Sequence, residues 1–280
     1  MRGRTLSYLL LSLSFSEFLE FSGIESVRFP SSAQELTLSK MACEYLKFGG
    51  YPETVLYKRE RERLLRELLD VAIQRDIIER YGIRNIKVLR MLIEAIATSS
   101  EFSMHRFFNF LKSNGYKVSK NTLYTYLQAL EDAFIIHETK RYSKSVRQRE
   151  QSMSKPYMLD NGLLMVNNVS GGKLFENAVF NALFRNEKLK IYYYSDQSSE
   201  VDFIVEEKGA VKALVQASSE LNGIETKERE FKALYRASDA LDCNKLIIVT
   251  LNSKGTEIYK GKKINIMPIW ELMLAPVAQW

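Results

Sequence analysis

The pattern of apolar residues changes near Gly171, and this change most limits the folds that the chain can adopt. Before Gly171, apolar side chains recur mainly at the three- and four-residue spacing of amphipathic helices. After it, short apolar runs typical of strands alternate with helical segments. Helices that alternate with strands form layered α/β domains. The sequence therefore predicts a multi-domain protein, α-helical in its first part and α/β in its last.

The first 84 residues are predicted to be mostly helical. Ser14 and Glu17 have the spacing of a capping box, which predicts that a helix begins just after Ser14. Residues 58–80 are typical of one long helix, because their leucines fall on one stripe with charges opposite. The other elements predicted here are a strand at residues 5–11, a loop at 30–34 and a short helix at 42–48.

Residues 85–165 predict three helices followed by a hairpin. Ser103 and Ser119 are placed to cap the second and third helices, and Asn114-Gly115 is placed to end the second. Residues 134–139 and 156–159 are typical of two strands. Three helices and a hairpin are the layout of a winged helix-turn-helix, a fold that often binds DNA.

The third of these helices has one apolar and one polar face. Its predicted buried face comprises Leu123, Leu127, Leu130 and Phe134, and its predicted exposed face comprises Asn121, Tyr124, Thr125 and Gln128. Amide and hydroxyl groups of this kind bind phosphates and base edges. Because Lys120 is the sole cation near this face, contact with the DNA backbone is expected rather than sequence readout.

Most of the net positive charge lies in residues 85–160, which include the segment between the two predicted strands. These residues contain twelve Lys and Arg against seven Asp and Glu, so they carry +5 of the net charge of +6. A polyanionic partner is the natural inference, although a solvated basic face would have the same composition. The cations expected to contact duplex DNA are Lys120, Lys140, Arg141, Lys144, Arg147 and Arg149.

The sequence has no GxxxxGK[ST] motif, the loop that cradles ATP phosphates. Gly171-Gly172-Lys173 lacks that spacing and is interpreted as a linker. Hydrolysis of ATP by these residues alone is therefore not expected.

A second candidate site lies in the last part of the chain. Residues 201–206 and 211–218 predict a hairpin that turns at Lys208-Gly209. Glu176, Asp202 and Gln216 are the candidate catalytic residues, with Glu176 and Asp202 as ligands for Mg²⁺. The alternative is that these groups make structural hydrogen bonds.

Several motifs resemble a family of archaeal and bacterial AAA+ ATPases that end in a domain of originally unknown function. The motifs are residues 3–7 and 13–19, Tyr45-Leu46 with Gly49-Gly50-Tyr51-Pro52-Glu53, and Arg75-Asp76-Ile77. The resemblance implies the end of an ATPase core and a helical lid over residues 1–84. It also implies a winged helix over 85–165 and a nuclease-like domain over 166–280. The Walker A and B half of intact members, which binds ATP, has no counterpart in this sequence.

The last domain resembles the PD-(D/E)XK, or restriction-endonuclease-like, fold. By that resemblance Glu176 matches the helix glutamate, Asp202 the strand aspartate and Gln216 the second strand ligand. Ser218 stands where the family has its catalytic lysine, and Lys212 and Lys232 are candidate substitutes. This departure puts nuclease activity in doubt.

Three functions follow as expectations. The first is a DNA-binding portion of such an ATPase with an inactive nuclease-like domain. The second is a Mg²⁺-dependent nuclease, and the third is a module that docks on a separate ATPase half or on a second copy. Two distant cysteines, Cys43 and Cys243, fit a reducing cytoplasm, and no apolar run is long enough to predict a membrane span.

Overall fold

The computed structural model joins a helical amino-terminal part to a six-stranded mixed sheet. It describes residues 9–25, 30–99, 102–196, 199–221 and 223–275. The prediction of an α-helical first part and an α/β last part is confirmed at this level. None of the helices in the described ranges combines the length and the apolar character needed to cross a membrane.

Helices and one two-stranded sheet make up the chain as far as residue 166. The elements are α1 (Phe15–Phe21), α2 (Ser32–Phe48), α3 (Pro52–Leu56), α4 (Arg61–Ala72) with a π-helical continuation over Ile73–Glu79, α5 (Ile86–Thr98), α6 (Met104–Ser113), α7 (Lys120–Asp132), β1 (Ile136–Lys140), α8 (Val146–Gln151), β2 (Ser154–Met158) and α9 (Asn161–Val166). Strands β1 and β2 pair antiparallel, with Ile136 opposite Met158.

The remaining elements build the larger sheet and its flanking helices. They are α10 (Gly172–Phe184), β3 (Leu189–Ser195), β4 (Glu200–Glu207), β5 (Ala210–Ala217), α11 (Ile224–Leu241), β6 (Leu246–Thr250), β7 (Gly255–Tyr259), β8 (Lys262–Pro268) and α12 (Ile269–Leu274). The strand order is β3-β4-β5-β6-β8-β7. Strands β5, β6 and β8 run parallel, whereas β3, β4 and β7 pair antiparallel with their neighbours.

The predicted helix starts at Ser14, Ser103 and Ser119 are confirmed. Each serine hydroxyl accepts a hydrogen bond from a backbone N–H in the first turn of its helix. The Glu17 carboxylate also accepts the N–H of Ser14 at 2.7 Å, which completes the capping box. These caps satisfy N–H groups that have no partner inside the helix.

Helix α2 begins ten residues earlier than the sequence pattern predicted. Ser31 and Gln34 form a second capping box, with the Ser31 N–H donating to Gln34 Oε1 at 2.8 Å. The prediction of a loop over residues 30–34 is therefore wrong beyond Ser31, because these polar residues start a helix. In the strand predicted at 5–11, residues 5–8 lie outside the described residues, and 9–11 form no strand.

Two further local predictions are wrong. Phe134 was assigned to the buried face of α7, but it is 57% exposed and has a φ of +53°. The chain leaves the helix there in a left-handed turn, so that Ile135 and Ile136 enter the core instead. Gly171-Gly172-Lys173 is not a linker, because Gly171 caps α10 and Gly172 is its first residue.

The larger sheet lies between α11 on one face and α10 with α12 on the other. Phe203, Val205 and Val215 belong to the core that includes α10 and α12. Ile204 and Leu214 point to the opposite face and join the core of α11. The predicted turn at Lys208-Gly209 is confirmed, and both residues have positive φ. Period-two alternation therefore gives each strand two buried faces.

The hydrophobic cores cross the boundaries drawn at residues 84 and 165. Phe15, Phe18 and Leu46, from α1 and α2, pack in the same core as α10 and the sheet. A second core joins α5, α6 and α7 to Ile77 of the π-helical segment and to Leu164 of α9. The amino-terminal helices are thus divided between the two cores.

A buried carboxylate, Asp160, joins these two regions. It accepts hydrogen bonds from the Gly50 N–H at 2.9 Å and the Gly162 N–H at 2.7 Å. Gly49 has φ +72° and ψ −162°, a region that L-residues with side chains rarely adopt. A Cβ built on Gly49 would lie 1.7 Å from Asp160 Oδ1. This position therefore requires glycine for two separate reasons.

We expect Gly49→Ala to destabilise the fold by about 3 kcal/mol or more, because backbone strain adds to a collision with a buried carboxylate. Gly82→Ala is the matched control, since Gly82 also has positive φ (+60°) but nothing lies within 4 Å of the added methyl. The control should lose about 1 kcal/mol. Urea unfolding followed by circular dichroism measures both, and equal losses would contradict the role of Asp160.

Candidate carboxylate site and basic surface

The β4–β5 hairpin brings Asp202 and Gln216 together, as the sequence pattern predicted. The Ala217 N–H donates to Asp202 Oδ2 at 2.9 Å, and the Asp202 N–H donates to Gln216 Oε1 at 3.3 Å. Gln216 is 7% exposed and Asp202 is half-buried. Both side chains are therefore held by backbone groups of the hairpin itself.

Glu176, on α10, is connected to strand β2 of the two-stranded sheet. The Tyr157 hydroxyl donates to Glu176 Oε1 at 2.6 Å, and Tyr157 is 1% exposed. Burial and the neighbouring Glu176 carboxylate raise the pKa of the Tyr157 hydroxyl well above its usual value. Tyr157 therefore remains protonated and can serve as a permanent donor to Glu176.

Lys155, two residues earlier on β2, is the cation of this site. Its ammonium forms an ion pair with Glu200, and its side chain is only 17% exposed. Burial alone would lower the pKa of Lys155, but attraction to Glu176 and Glu200 outweighs it and the pKa rises. Lys155 is therefore charged, and its charge also acts on the Asp202 carboxylate.

The site holds more negative charge than Lys155 can neutralise. Burial and the nearby Glu176 carboxylate raise the pKa of Asp202 well above its ordinary range. Lys173, in the first turn of α10, lies 5.3 Å from the ring of Tyr157, and burial lowers its pKa. Sequence reasoning missed Lys155, Tyr157 and Lys173, because strand β2 carries no local signal that it meets α10.

The two lysines that the resemblance suggested as replacements for the catalytic lysine lie in different surroundings. The Ser218 hydroxyl donates to the Glu220 carbonyl at 3.0 Å, and the Lys212 side chain is exposed. Lys232, on α11, lines a cleft of about 570 Å³ together with Asp202 and Gln216. Lys155 is the lysine that forms an ion pair with a carboxylate of this site.

The cleft beside Asp202 is mostly acidic. The carboxylate-bearing residues that line it are Glu200, Asp202, Glu225, Glu228 and Glu230, with Arg229 and Lys232 as the cations. Arg229 is already engaged, since its guanidinium contacts the Glu230 carboxylate at 2.6 Å. Within the described ranges, no group of three or more His, Cys, Asp or Glu side chains is arranged to hold a metal ion.

The polar face of α7 is exposed, as expected. Asn121, Tyr124, Thr125 and Gln128 all have exposed side chains. Gln128 also donates to Asp132 Oδ1 of the next turn, at 3.0 Å. Lys120 lies beside this face, and its ammonium is 3.1 Å from the His105 ring nitrogen Nδ1.

The segment over residues 140–155, here called the basic arm, contains the short helix α8. Within it Lys140 forms an ion pair with Glu150, and the Arg149 guanidinium lies 5.4 Å from the ring centre of Tyr192. Lys144 and Arg147 are exposed and have no carboxylate partner among the described residues. The six cations predicted from the sequence therefore differ in how far other side chains already engage them. Lys144 and Arg147 are the most available to bind a partner.

The basic arm is attached to the larger sheet along β3. The Tyr142 N–H donates to the Tyr193 carbonyl at 2.7 Å, and the Tyr193 hydroxyl donates to the Met153 carbonyl at 2.7 Å. Arg141 forms an isolated parallel bridge with Tyr193. Both ends of the arm are thus fixed to one strand.

Comparison with known proteins shows likeness to families without an assigned role. Residues 39–171 match a domain of unknown function (DUF8612), and residues 171–272 match another (DUF4143). The second of these domains is found in families associated with AAA ATPases, which agrees in part with the resemblance drawn from the sequence. No solved structure matches the chain.

Two similar proteins come from an archaeon and a bacterium. An uncharacterized protein of Methanocaldococcus jannaschii is 34% identical over 289 aligned positions, which cover 98% of this chain and 64% of that protein. An uncharacterized protein of Haemophilus influenzae is 28% identical over 211 positions, which cover 73% of this chain and 51% of that protein. The chain thus matches about half to two thirds of the length of these relatives.

We expect Asp202→Asn to stabilise the protein at pH 8. A carboxyl whose pKa is raised on folding contributes stability that is complete below its unfolded pKa and is lost as pH rises through the folded value. The advantage of the variant over the wild type should therefore shrink as pH falls from 8 towards 4. Thermal unfolding of both proteins in EDTA measures this. An advantage that grows at low pH would contradict the raised pKa.

Proposed function

We propose that this chain binds duplex DNA without reading its sequence, through the exposed face of α7 and the basic arm. The observation that carries the proposal is the arm itself. It contains six Lys and Arg and a single acidic residue, Glu150. Its ends are fixed to β3, so its exposed cations, Lys144 and Arg147, are held on a supported surface.

The helices and hairpin before the larger sheet support this proposal. Helices α5, α6 and α7 share one core, and β1 follows α7 and pairs with β2. We propose that these elements are a winged helix-turn-helix in which α7 lies against the duplex. Neutral groups on α7 and cations on the arm would then contact phosphates on neighbouring parts of the backbone.

The acidic cleft beside Asp202 also supports placing the DNA on the arm and α7 rather than on the larger sheet. Its five carboxylate-bearing residues would repel a phosphate backbone, whereas the arm would attract it. We therefore place the DNA on the arm and α7, and we propose that the nuclease-like domain does not cleave it.

Replacement of both Lys144 and Arg147 by Ala should weaken binding equally for duplexes of different sequence. The plot of log K against log salt becomes shallower by about 0.9 for each lost phosphate contact. The magnitude of its slope should therefore be smaller by about 1.8 in the double variant. Fluorescence anisotropy at several salt concentrations measures the slope. Lys188→Ala/Lys190→Ala, which removes two exposed lysines near the start of β3, is the control and should leave the slope unchanged. An unchanged slope in the Lys144/Arg147 variant would refute the role of the arm.

Asn121→Ala tests the face of α7 separately. Loss of one neutral hydrogen bond to a phosphate should cost about 1 kcal/mol, or about fivefold in Kd, with no change in the salt slope. No change in Kd would show that this face of α7 lies away from the duplex.

The nuclease alternative has its own test. It requires Mg²⁺ on Glu176 and Asp202, and it predicts cleavage of a plasmid in Mg²⁺ or Mn²⁺ that Asp202→Ala abolishes. Such cleavage would overturn the proposal that the domain is inactive.

The alternative of docking on a separate ATPase half or on a second copy predicts a different result. It predicts that duplex binding is absent at every salt concentration.

A further inference from the structure

One half-buried lysine lies among three carboxylates where strand β2 meets the larger sheet. Lys155 comes from β2, Glu176 from α10, and Glu200 and Asp202 from β4. The Lys155 ammonium pairs directly with Glu200 and lies 5.1 Å from the ring centre of Tyr193. Three elements distant in sequence are therefore connected by one positive charge.

The carboxylates are also supplied with hydrogen-bond donors from the protein. Glu176 receives the Tyr157 hydroxyl at 2.6 Å, and Asp202 receives the Ala217 N–H at 2.9 Å. Glu200 receives the Lys155 ammonium. A carboxylate partly withdrawn from water needs a counter-charge or donors, and this half-buried cluster takes both from the chain itself.

We propose that Lys155 is a built-in cation, which keeps a divalent metal ion out of the Glu176–Glu200–Asp202 cluster and locks the end of the basic arm onto the sheet. The lock is independent of what the arm binds, so it does not rest on the proposed DNA binding.

Electrostatics makes the lysine and the metal ion competitors. A divalent cation placed beside a buried ammonium meets strong repulsion at short range, because little water screens the two charges. Lys173, close to Tyr157 and Glu176, adds to the local positive charge whenever it is protonated. Metal could enter only if Lys155 left, and departure would expose the carboxylates to one another.

The test is calorimetric titration of the full chain with MnCl₂ alone, at low ionic strength. The wild type should show no saturable site up to about 1 mM, the weak end of protein cation sites. Lys155→Met keeps the length of the side chain and removes its charge, and it should create one site that binds Mn²⁺ at least about tenfold more tightly. The added change Asp202→Asn should abolish that site. Lys190→Met, which removes an exposed lysine of β3, should behave as the wild type.

Two outcomes overturn the proposal. One is a saturable Mn²⁺ site in the wild type that Asp202→Asn removes, because the lysine would then coexist with the metal. The other is a folded Lys155→Met protein that gains no Mn²⁺ binding.

A second measurement decides the matter if Lys155→Met does not fold. The lock predicts that the double variant Lys155→Met/Glu200→Gln is more stable than Lys155→Met alone, because it removes a carboxylate left without its partner. Thermal unfolding should then show a cooperative transition for the double variant that Lys155→Met lacks. A double variant that also fails to fold would overturn the lock.

Discussion

The structure depends on one buried carboxylate that holds two backbone segments together. Asp160 receives N–H groups from the Gly50 loop and from Gly162 at the start of α9, segments that lie more than a hundred residues apart. The first leads from α2, which packs with the sheet, and the second leads into α9, which packs with the α5–α7 helices. Burial raises the pKa of Asp160, while the two N–H groups and the hydroxyl of Ser12 favour the ionised form. Both cores thus meet at the Asp160 carboxylate, a buried group whose hydrogen bonds must all form when the chain folds.

Much of the local structure could be predicted from the sequence because its causes are local. The serine caps at residues 14, 103 and 119 act within one helical turn, and Lys208-Gly209 supplies the positive φ angles that a tight hairpin needs. The strand β7 was missed because it is mostly exposed and lacks apolar alternation. Phe134 was misassigned because helical spacing alone does not show where a helix ends.

The candidate site was predictable only within the hairpin. Asp202 and Gln216 face each other across neighbouring strands, and period-two alternation places them there. Lys155 and Tyr157 could not be found in this way, because they reach Glu176 and Glu200 from a strand of the other sheet. A contact of this kind depends on how the two sheets meet. The arrangement of Glu176 and Asp202 is thus interpretable only together with strand β2, which precedes them in the chain.

The attachment of the basic arm to β3 also occupies part of an edge of the larger sheet. Strand β3 ends the six-stranded sheet and includes the apolar and aromatic run Ile191-Tyr192-Tyr193-Tyr194. A bare strand of this composition offers unpaired N–H and C=O groups to any neighbouring chain. The Tyr142 N–H takes the carbonyl of Tyr193, while Arg149 lies over the ring of Tyr192 and Lys155 over the ring of Tyr193. The segment that gives the chain its basic character therefore also covers part of one edge of the sheet.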